Sequence, residues 1–159
     1  MYTFKAMPDI IATIFAAVSL IIASVQDIRT KSVTNAVWWI FSAGLLMMFF
    51  CEKDTGPAAI AECIAVIVIQ ELIMSRAYGR ADSHAFSCCA VYLILTGAGL
   101  EGHILHMSLA LAMLVVVQIL RGNIACGLKL KEPVPFIPYI AVTFIISAII
   151  LYIVIPLIC

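Results

Sequence analysis

Six apolar runs, separated by short polar stretches, account for most of the chain. They cover Ile10–Val25, Val33–Cys51, Ala58–Met74, Ser83–Leu95, Ile104–Leu120 and Tyr139–Ile155. A helix needs about 20 mostly apolar residues to cross a bilayer, and apolar runs of this kind divided by polar turns are typical of a helical membrane bundle. The pattern predicts an all-α integral membrane protein in which residues 1–159 form a single domain of six transmembrane helices.

Composition strengthens this interpretation. The chain is 65% hydrophobic with a mean hydropathy of +1.18, whereas soluble domains average about 45–50% apolar residues. A water-soluble domain is therefore excluded. The formal net charge of zero argues against a nucleic-acid partner, which would need a basic face. The six cysteines include no C-x-x-C pair, so we expect them to pack as small apolar side chains.

The basic residues are distributed unevenly between the two sides of the predicted bundle. The loops after the first, third and fifth runs share one side and hold seven of them: Arg29, Lys31, Arg76, Arg80, Arg121, Lys129 and Lys131. The other side holds only Lys5 and Lys53. Since cytoplasmic loops carry an excess of Lys and Arg, we expect those three loops to be cytoplasmic and both termini to lie outside a cell membrane.

Two aspartates lie in these cytoplasmic loops. Asp27 follows the first apolar run, and Asp82 lies in a polar island, Arg76–Phe86, before the fourth. Two carboxyl groups held close together share a proton and can activate water by general acid–base catalysis. The helix macrodipole favours negative charge at Asp82, which starts a helix, over Asp27, which ends one, so we expect Asp82 to be ionised and Asp27 protonated.

Plainer interpretations of these aspartates stay open at this point. Asp82, followed by Ser83 and His84, is a good helix N-cap. Asp27 and Arg29 are equally compatible with a solvated pair in a loop.

Other ionisable residues interrupt the apolar runs. An ionisable group inside a span is a functional candidate, and we expect Glu71, near the cytoplasmic end of the third run, to face Arg76 or a positive substrate. Glu62 is expected to reach the outer headgroups. His103 and His106 lack a third metal ligand and are expected to form an interfacial pair. The sequence holds no zinc, serine-nucleophile or nucleotide-binding motif.

Three segments together resemble the type IV prepilin peptidases, which are membrane aspartyl peptidases of the G-x-G-D type. Asp27–Asn35, DIRTKSVTN, is similar to their D-x-R-x-x-x-I-P-N motif. Gly79–Asp82, GRAD, is similar to G-x-G-D, and Val134–Tyr139, VPFIPY, to the P-F-x-P-[FY] segment that opens their last span. The three occur in the family's order and cover the length of the chain.

The resemblance implies a membrane-embedded aspartyl endopeptidase that removes the basic leader peptide of prepilin-like proteins at the cytoplasmic face, in type IV pilus assembly or protein secretion. Asp27 and Asp82 match the catalytic pair, and no cofactor or metal is implied. Positions that shape the site are matched by Arg29, Asn35, Gly79, Ala81, His84, Pro135, Phe136 and Pro138. Glu71 is the candidate contact for the leader. We expect the short form, without the N-terminal cytoplasmic domain of longer members. The oligomeric state is left open.

The chain departs from the family pattern at three positions. Ala81 replaces the second glycine of G-x-G-D, and alanine would be strained there if the position needs a positive φ. Thr34 replaces a proline, and His84 replaces a frequent lysine, which makes the charge there dependent on pH.

These departures keep other functions in view. A non-catalytic homologue would bind prepilins without cutting them, and a small transporter would use Glu62 and Glu71. A presenilin-type protease would also have G-x-G-D, but the chain lacks a P-A-L segment.

Overall fold

A computed structural model describes residues 6–51, 56–122 and 134–151. Every regular element in these ranges is helical. The elements are α1 (Ala6–Thr30), α2 (Asn35–Cys51), α3 (Pro57–Val68), a π-helical segment (Ile69–Met74), α4 (Ser75–Tyr78), α5 (Arg80–Leu95), α6 (Gly99–Leu120) and α7 (Ile137–Ile149). The predicted all-helical architecture is confirmed for this part of the chain. Most of the two predicted connections at residues 52–57 and 121–138 lies outside the described residues.

Three helical stretches of the described chain are long and apolar enough to cross a membrane: Asp9–Thr30, Pro57–Tyr78 and Gly99–Leu120. The second of them is continuous through α3, the π segment and α4. Helices α2 and α7 are apolar but shorter, and α5 has 16 residues. These lengths are compatible with a membrane protein, while six crossings and the sidedness of the loops stay predictions.

Helix α5 lies at the centre of the bundle and packs on α2, α3, α6 and α7. Ten of its sixteen residues are buried, although it carries serine, histidine and cysteine side chains in place of the large aliphatic residues of its neighbours. Small and weakly polar residues suit the interface between membrane helices because they let backbones approach closely. A helix enclosed in this way does not need a lipid-facing apolar stripe, and its polar residues face protein.

Helices α1 and α2 approach closely through small residues. Ala12, Ala16 and Ala23 are buried on α1, and a Cβ added to Gly44 of α2 would lie 2.9 Å from the Cβ of Phe15. Helix α1 also packs along α7. The C-terminal half of α1 is thereby brought to the beginning of α7.

Helices α1 and α5 both extend beyond the apolar runs that predicted them. Helix α1 continues to Thr30 and ends where Lys31 adopts a φ of 52°, a left-handed conformation that stops a helix. Helix α5 begins at Arg80, three residues before its predicted start. Asp27 and Asp82 therefore both lie within helices, close to the helix ends at which the sequence analysis located them.

Candidate active site

Asp27 lies near the end of α1 and is buried, with 9% of its surface exposed. Its Oδ2 accepts a hydrogen bond from the backbone N–H of Ile137, 3.2 Å away, and the N–H of Phe136 also interacts with the carboxyl. These donors belong to the first residues of α7, whose N–H groups have no partner within the helix. The packing of α1 on α7 thus gives the buried carboxyl its partners.

Asp82 lies in the first turn of α5 and is half-buried. The helix begins after Gly79, which has φ 106° and ψ 160°, a conformation that is essentially restricted to glycine. Burial, with a further contribution from the negative charge of Asp27, raises the pKa of Asp82 from its ordinary value of 3.8 to about 7. The fold brings together two carboxyl groups that are 55 positions apart in the sequence, close enough for one to affect the ionisation of the other.

An aromatic layer lies next to the two carboxyl groups. Phe86, one turn after Asp82 on α5, is fully buried and packs edge-on against Phe136, with ring centroids 5.6 Å apart, and against Tyr78, at 5.7 Å. Tyr78 in turn contacts Phe136 at 6.1 Å. These rings shield one side of the site from solvent, and electrostatic interactions are stronger where water is excluded.

The expectation that His103 and His106 form an interfacial pair is wrong, because 3% and 0% of their surfaces are exposed. Helix α6 begins five residues before its predicted start, which places both histidines well inside the helix and against Phe86. His103 Nε2 lies 3.3 Å from Gln70 Nε2, and His106 Nε2 lies 3.2 Å from the carbonyl oxygen of Ile140. The pair is part of the interior polar network behind the site.

Glu71 faces α5 and not Arg76, which is exposed. Its Oε1 lies 2.6 Å from His84 Nδ1 and accepts a hydrogen bond from Ser87 Oγ at 3.0 Å. Glu62 is exposed, and a transporter path along Glu62 and Glu71 stays a prediction. Contact between Glu71 and a substrate leader stays a prediction.

The strain considered for Ala81 is not found. The residue with a positive φ in this segment is Gly79. Among the described residues that are not glycine, only Lys31 has a positive φ. Ala81 lies in the first turn of α5, where alanine is the most favourable residue.

Thr34 also has a local reason to differ from proline. Its backbone N–H donates a hydrogen bond of 2.9 Å to Gln26 Oε1, which proline lacks the hydrogen to make.

The remaining predicted site-shaping residues differ in how deeply they are buried. Arg29 and Asn35 are exposed, at the end of α1 and the start of α2. Phe136 is buried, while Pro135 and Pro138 are half-buried on either side of the start of α7. Pro138 lies in the first turn of that helix, a position that does not require a backbone donor.

A groove of about 630 Å³ lies along the opposite face of α5. Ala81, His84 and Cys88 line it from α5, and Trp38 and Ser42 from α2. The spacing of Ala81, His84 and Cys88 places these three residues on one face of α5. Asp82 and Phe86 lie on the other face. The groove borders the start of α5 without being lined by Asp82.

Three polar residues near the site were missed from the sequence: Gln70, Tyr78 and Ser83. Gln70 is buried, its Oε1 accepts a hydrogen bond from Tyr78 Oη at 3.2 Å, and its carbonyl oxygen accepts one from Ser83 Oγ at 3.0 Å. An uncharged polar residue beside Glu71 in an apolar run was the available signal.

Across residues 6–51, 56–122 and 134–151, no three potential metal-ligating side chains come together. Comparison with known proteins gives no match: no protein-family model fits the chain, and neither a curated protein nor a solved structure is found to be similar to it.

Proposed function

We propose that this chain is a membrane-embedded aspartyl endopeptidase that cleaves the basic leader peptides of prepilin-like proteins at the cytoplasmic membrane face. The observation that carries the proposal is that the fold brings the buried Asp27 and the half-buried Asp82 close enough for the charge of one to affect the ionisation of the other. Both also occupy the aspartate positions of the motifs at Asp27–Asn35 and Gly79–Asp82. A buried and a half-buried carboxyl group that interact at helix ends suit the activation of water without a cofactor.

The environments of the two carboxyl groups suggest separate roles. Asp27 Oδ2 accepts a hydrogen bond from the backbone N–H of Ile137 at the start of α7, and such a bond favours the ionised form of a carboxyl group. Asp82, with a pKa of about 7, is about half protonated at neutral pH and largely protonated one pH unit lower. Asp27 is then the base and Asp82 the acid, which is the reverse of the assignment from helix dipoles alone. The macroscopic pKa values observed in kinetics belong to the pair.

The reaction follows from these roles. Asp27 takes a proton from water as the water oxygen attacks the peptide carbonyl, and Asp82 gives its proton to the carbonyl oxygen, producing a gem-diol. When the C–N bond breaks, Asp27 passes its proton to the leaving nitrogen and one hydroxyl proton returns to Asp82. The products are an acid and an amine, and the pair is restored to its starting protonation state. General acid–base assistance of this kind contributes about 10²–10⁴-fold to the rate.

The test is processing of a co-expressed prepilin by the wild type and by Asp27→Asn and Asp82→Asn, read as a gel shift and confirmed by N-terminal sequencing. Asp9→Asn, at the other end of α1, is the matched control. We expect cleavage by the wild type and the control, and loss in both site variants at equal membrane levels. Cleavage by either site variant at the wild-type rate would contradict the proposal. Co-purification of uncut substrate with the wild type would instead favour a binding protein.

A further inference from the structure

The junction that carries Asp82 depends on a single glycine. Gly79 separates α4 from α5 in a conformation with positive φ, and glycine permits many alternatives to it. Asp82 follows three residues later, so rotation at this junction would move its carboxyl relative to Asp27. A catalytic group must be held close to its productive geometry. The junction therefore needs support from outside α5.

The π-helical segment Ile69–Met74 provides such support. Here the backbone N–H of Ser75 bonds to the carbonyl oxygen of Gln70, five residues earlier, which is the pattern of a π-helix. Gln70 and Glu71 are adjacent in the sequence, yet both contact α5. Single π-helical turns are rare and occur frequently at functional sites.

Gln70 connects the two sides of the glycine junction. Its side-chain oxygen accepts a hydrogen bond from the hydroxyl of Tyr78, the residue immediately before Gly79. Its backbone carbonyl oxygen accepts a hydrogen bond from the hydroxyl of the fully buried Ser83, the residue immediately after Asp82. Tyr78 is also close enough to Asp82 to be affected by its charge. Rotation at Gly79 would break at least one of these hydrogen bonds.

Glu71 holds the next part of α5. Its carboxylate bonds to His84 and to Ser87, one turn further along, and the His84 ring packs edge-on against Trp38 of α2 at a centroid distance of 6.2 Å. Hydrogen bonds to charged groups are stronger than neutral ones. Ser83 and His84, the two residues after Asp82, are thus each tied to a different residue of the π segment.

We propose that Gln70 and Glu71 of the π segment are positioning residues, which fix Asp82 against Asp27 by holding Ser83 and His84. This inference rests on the proposed peptidase function and adds to it the elements that align the catalytic pair. It gives Glu71, an ionisable residue in an apolar stretch, a role that depends on contacts within the protein and not on contact with substrate.

The first experiment measures positioning without catalysis. In a cysteine-free background, Asp27→Cys and Asp82→Cys are combined and cross-linked with a short bifunctional thiol reagent. Glu71→Ala is then added, with Glu71→Gln as the conservative variant and the exposed Glu62→Ala as matched control. We expect the initial rate of cross-linking to fall about tenfold in Glu71→Ala, the equivalent of one hydrogen bond to a charged group. It should recover in Glu71→Gln, which keeps the acceptor oxygen, and stay unchanged in Glu62→Ala.

The outcomes separate the two proposals. Cross-linking that is efficient but indifferent to Glu71→Ala overturns the positioning role and leaves the catalytic pair standing. Absence of cross-linking in the parent double-cysteine protein overturns the pair itself.

In cleavage assays, we expect Glu71→Ala to lower kcat at unchanged KM, because the catalytic pair is less well positioned. We expect Glu71→Gln to restore kcat. A raised KM that Glu71→Gln fails to restore would identify a contact with the positive leader instead, and would refute the positioning role.

Deletion of Leu72 tests the π segment directly. Leu72 is 64% exposed, and removing one residue from a π-helical turn lets the helix continue as α-helix. The deletion rotates the helix before Leu72 relative to α4 and α5, so Gln70 and Glu71 cannot keep all their contacts with Tyr78, Ser83 and His84, and we expect cross-linking to fall as in Glu71→Ala. An unchanged cross-linking rate in a folded deletion variant would refute the role of the π segment.

Discussion

The glycine at the start of α5 offers the sharpest test of the site, because the structure and the motif pattern predict opposite outcomes. The motif pattern points to Ala81 as the defective position, so Ala81→Gly should raise activity. In the structure the positive φ lies at Gly79, and Ala81 occupies an ordinary helical position. We therefore predict that Gly79→Ala lowers the rate of the proposed cleavage and that Ala81→Gly does not raise it.

The magnitude follows from the backbone. With φ 106° and ψ 160°, Gly79 is in a region where other residues are strained by about 1–3 kcal/mol. A Cβ there would lie 3.7 Å from Asp82 Oδ2, which is an ordinary contact, so the cost arises from the backbone and not from a clash. If the junction relaxes to relieve this strain, the competent population falls roughly 5- to 150-fold.

The opposite substitution removes a good helix former. Ala81→Gly should cost about 0.5–1 kcal/mol of helix stability, and cleavage should stay the same or fall severalfold.

The assay is the initial rate of leader cleavage by purified variants in liposomes, with thermal unfolding in detergent measured in parallel. Gly79→Ala should retain its fold and lose most of its rate. The reasoning is refuted if Gly79→Ala cleaves at the wild-type rate, or if Ala81→Gly is several times faster than wild type.

Three further predictions follow from single contacts. The proposed role of Asp82, with a pKa of about 7, as proton donor predicts a rate that falls as pH rises through about 7, and a rate still increasing at pH 9 would contradict this role. Thr34→Pro removes the N–H donor to Gln26 Oε1 and should destabilise the fold by about 1 kcal/mol, seen as a lower Tm than in Thr34→Ala, which keeps the donor; an equal or higher Tm would contradict this. Gly44→Ala places a Cβ 2.9 Å from Phe15 Cβ and should lower stability by about 1–3 kcal/mol through overpacking, which an unchanged Tm would contradict.

The helices could be predicted from the sequence because their signal is local. Apolar runs gave the position of each helix, since burial in lipid or protein demands continuous apolar residues. Their ends were less accurate, because α1 and α5 continue through polar residues whose partners lie elsewhere in the fold. Gln26, for example, bonds to Thr34 beyond the helix end.

The two aspartates could also be found from the sequence, but their partners could not. Charged residues are rare in such a chain and therefore conspicuous. The donor to Asp27 is a backbone N–H of Ile137, which no residue type reveals. The pairing of Glu71 with His84 depends on a π-helical turn, and hydrophobic periodicity cannot distinguish such a turn from an α-helix.

The proposed protonation of the pair illustrates why the position of each aspartate along the chain was insufficient to predict which one holds the proton. A charge at a helix end interacts with the macrodipole by about 0.3–1 kcal/mol, which moves a pKa by less than one. Burial together with the charge of Asp27 raises the pKa of Asp82 from 3.8 to about 7, a much larger effect of opposite sign. The macrodipole can be inferred from where a helix starts, whereas desolvation depends on how helices from distant parts of the sequence pack around the carboxyl groups. In the proposed mechanism, tertiary packing therefore determines which aspartate donates the proton, and the helix termini only modify the result.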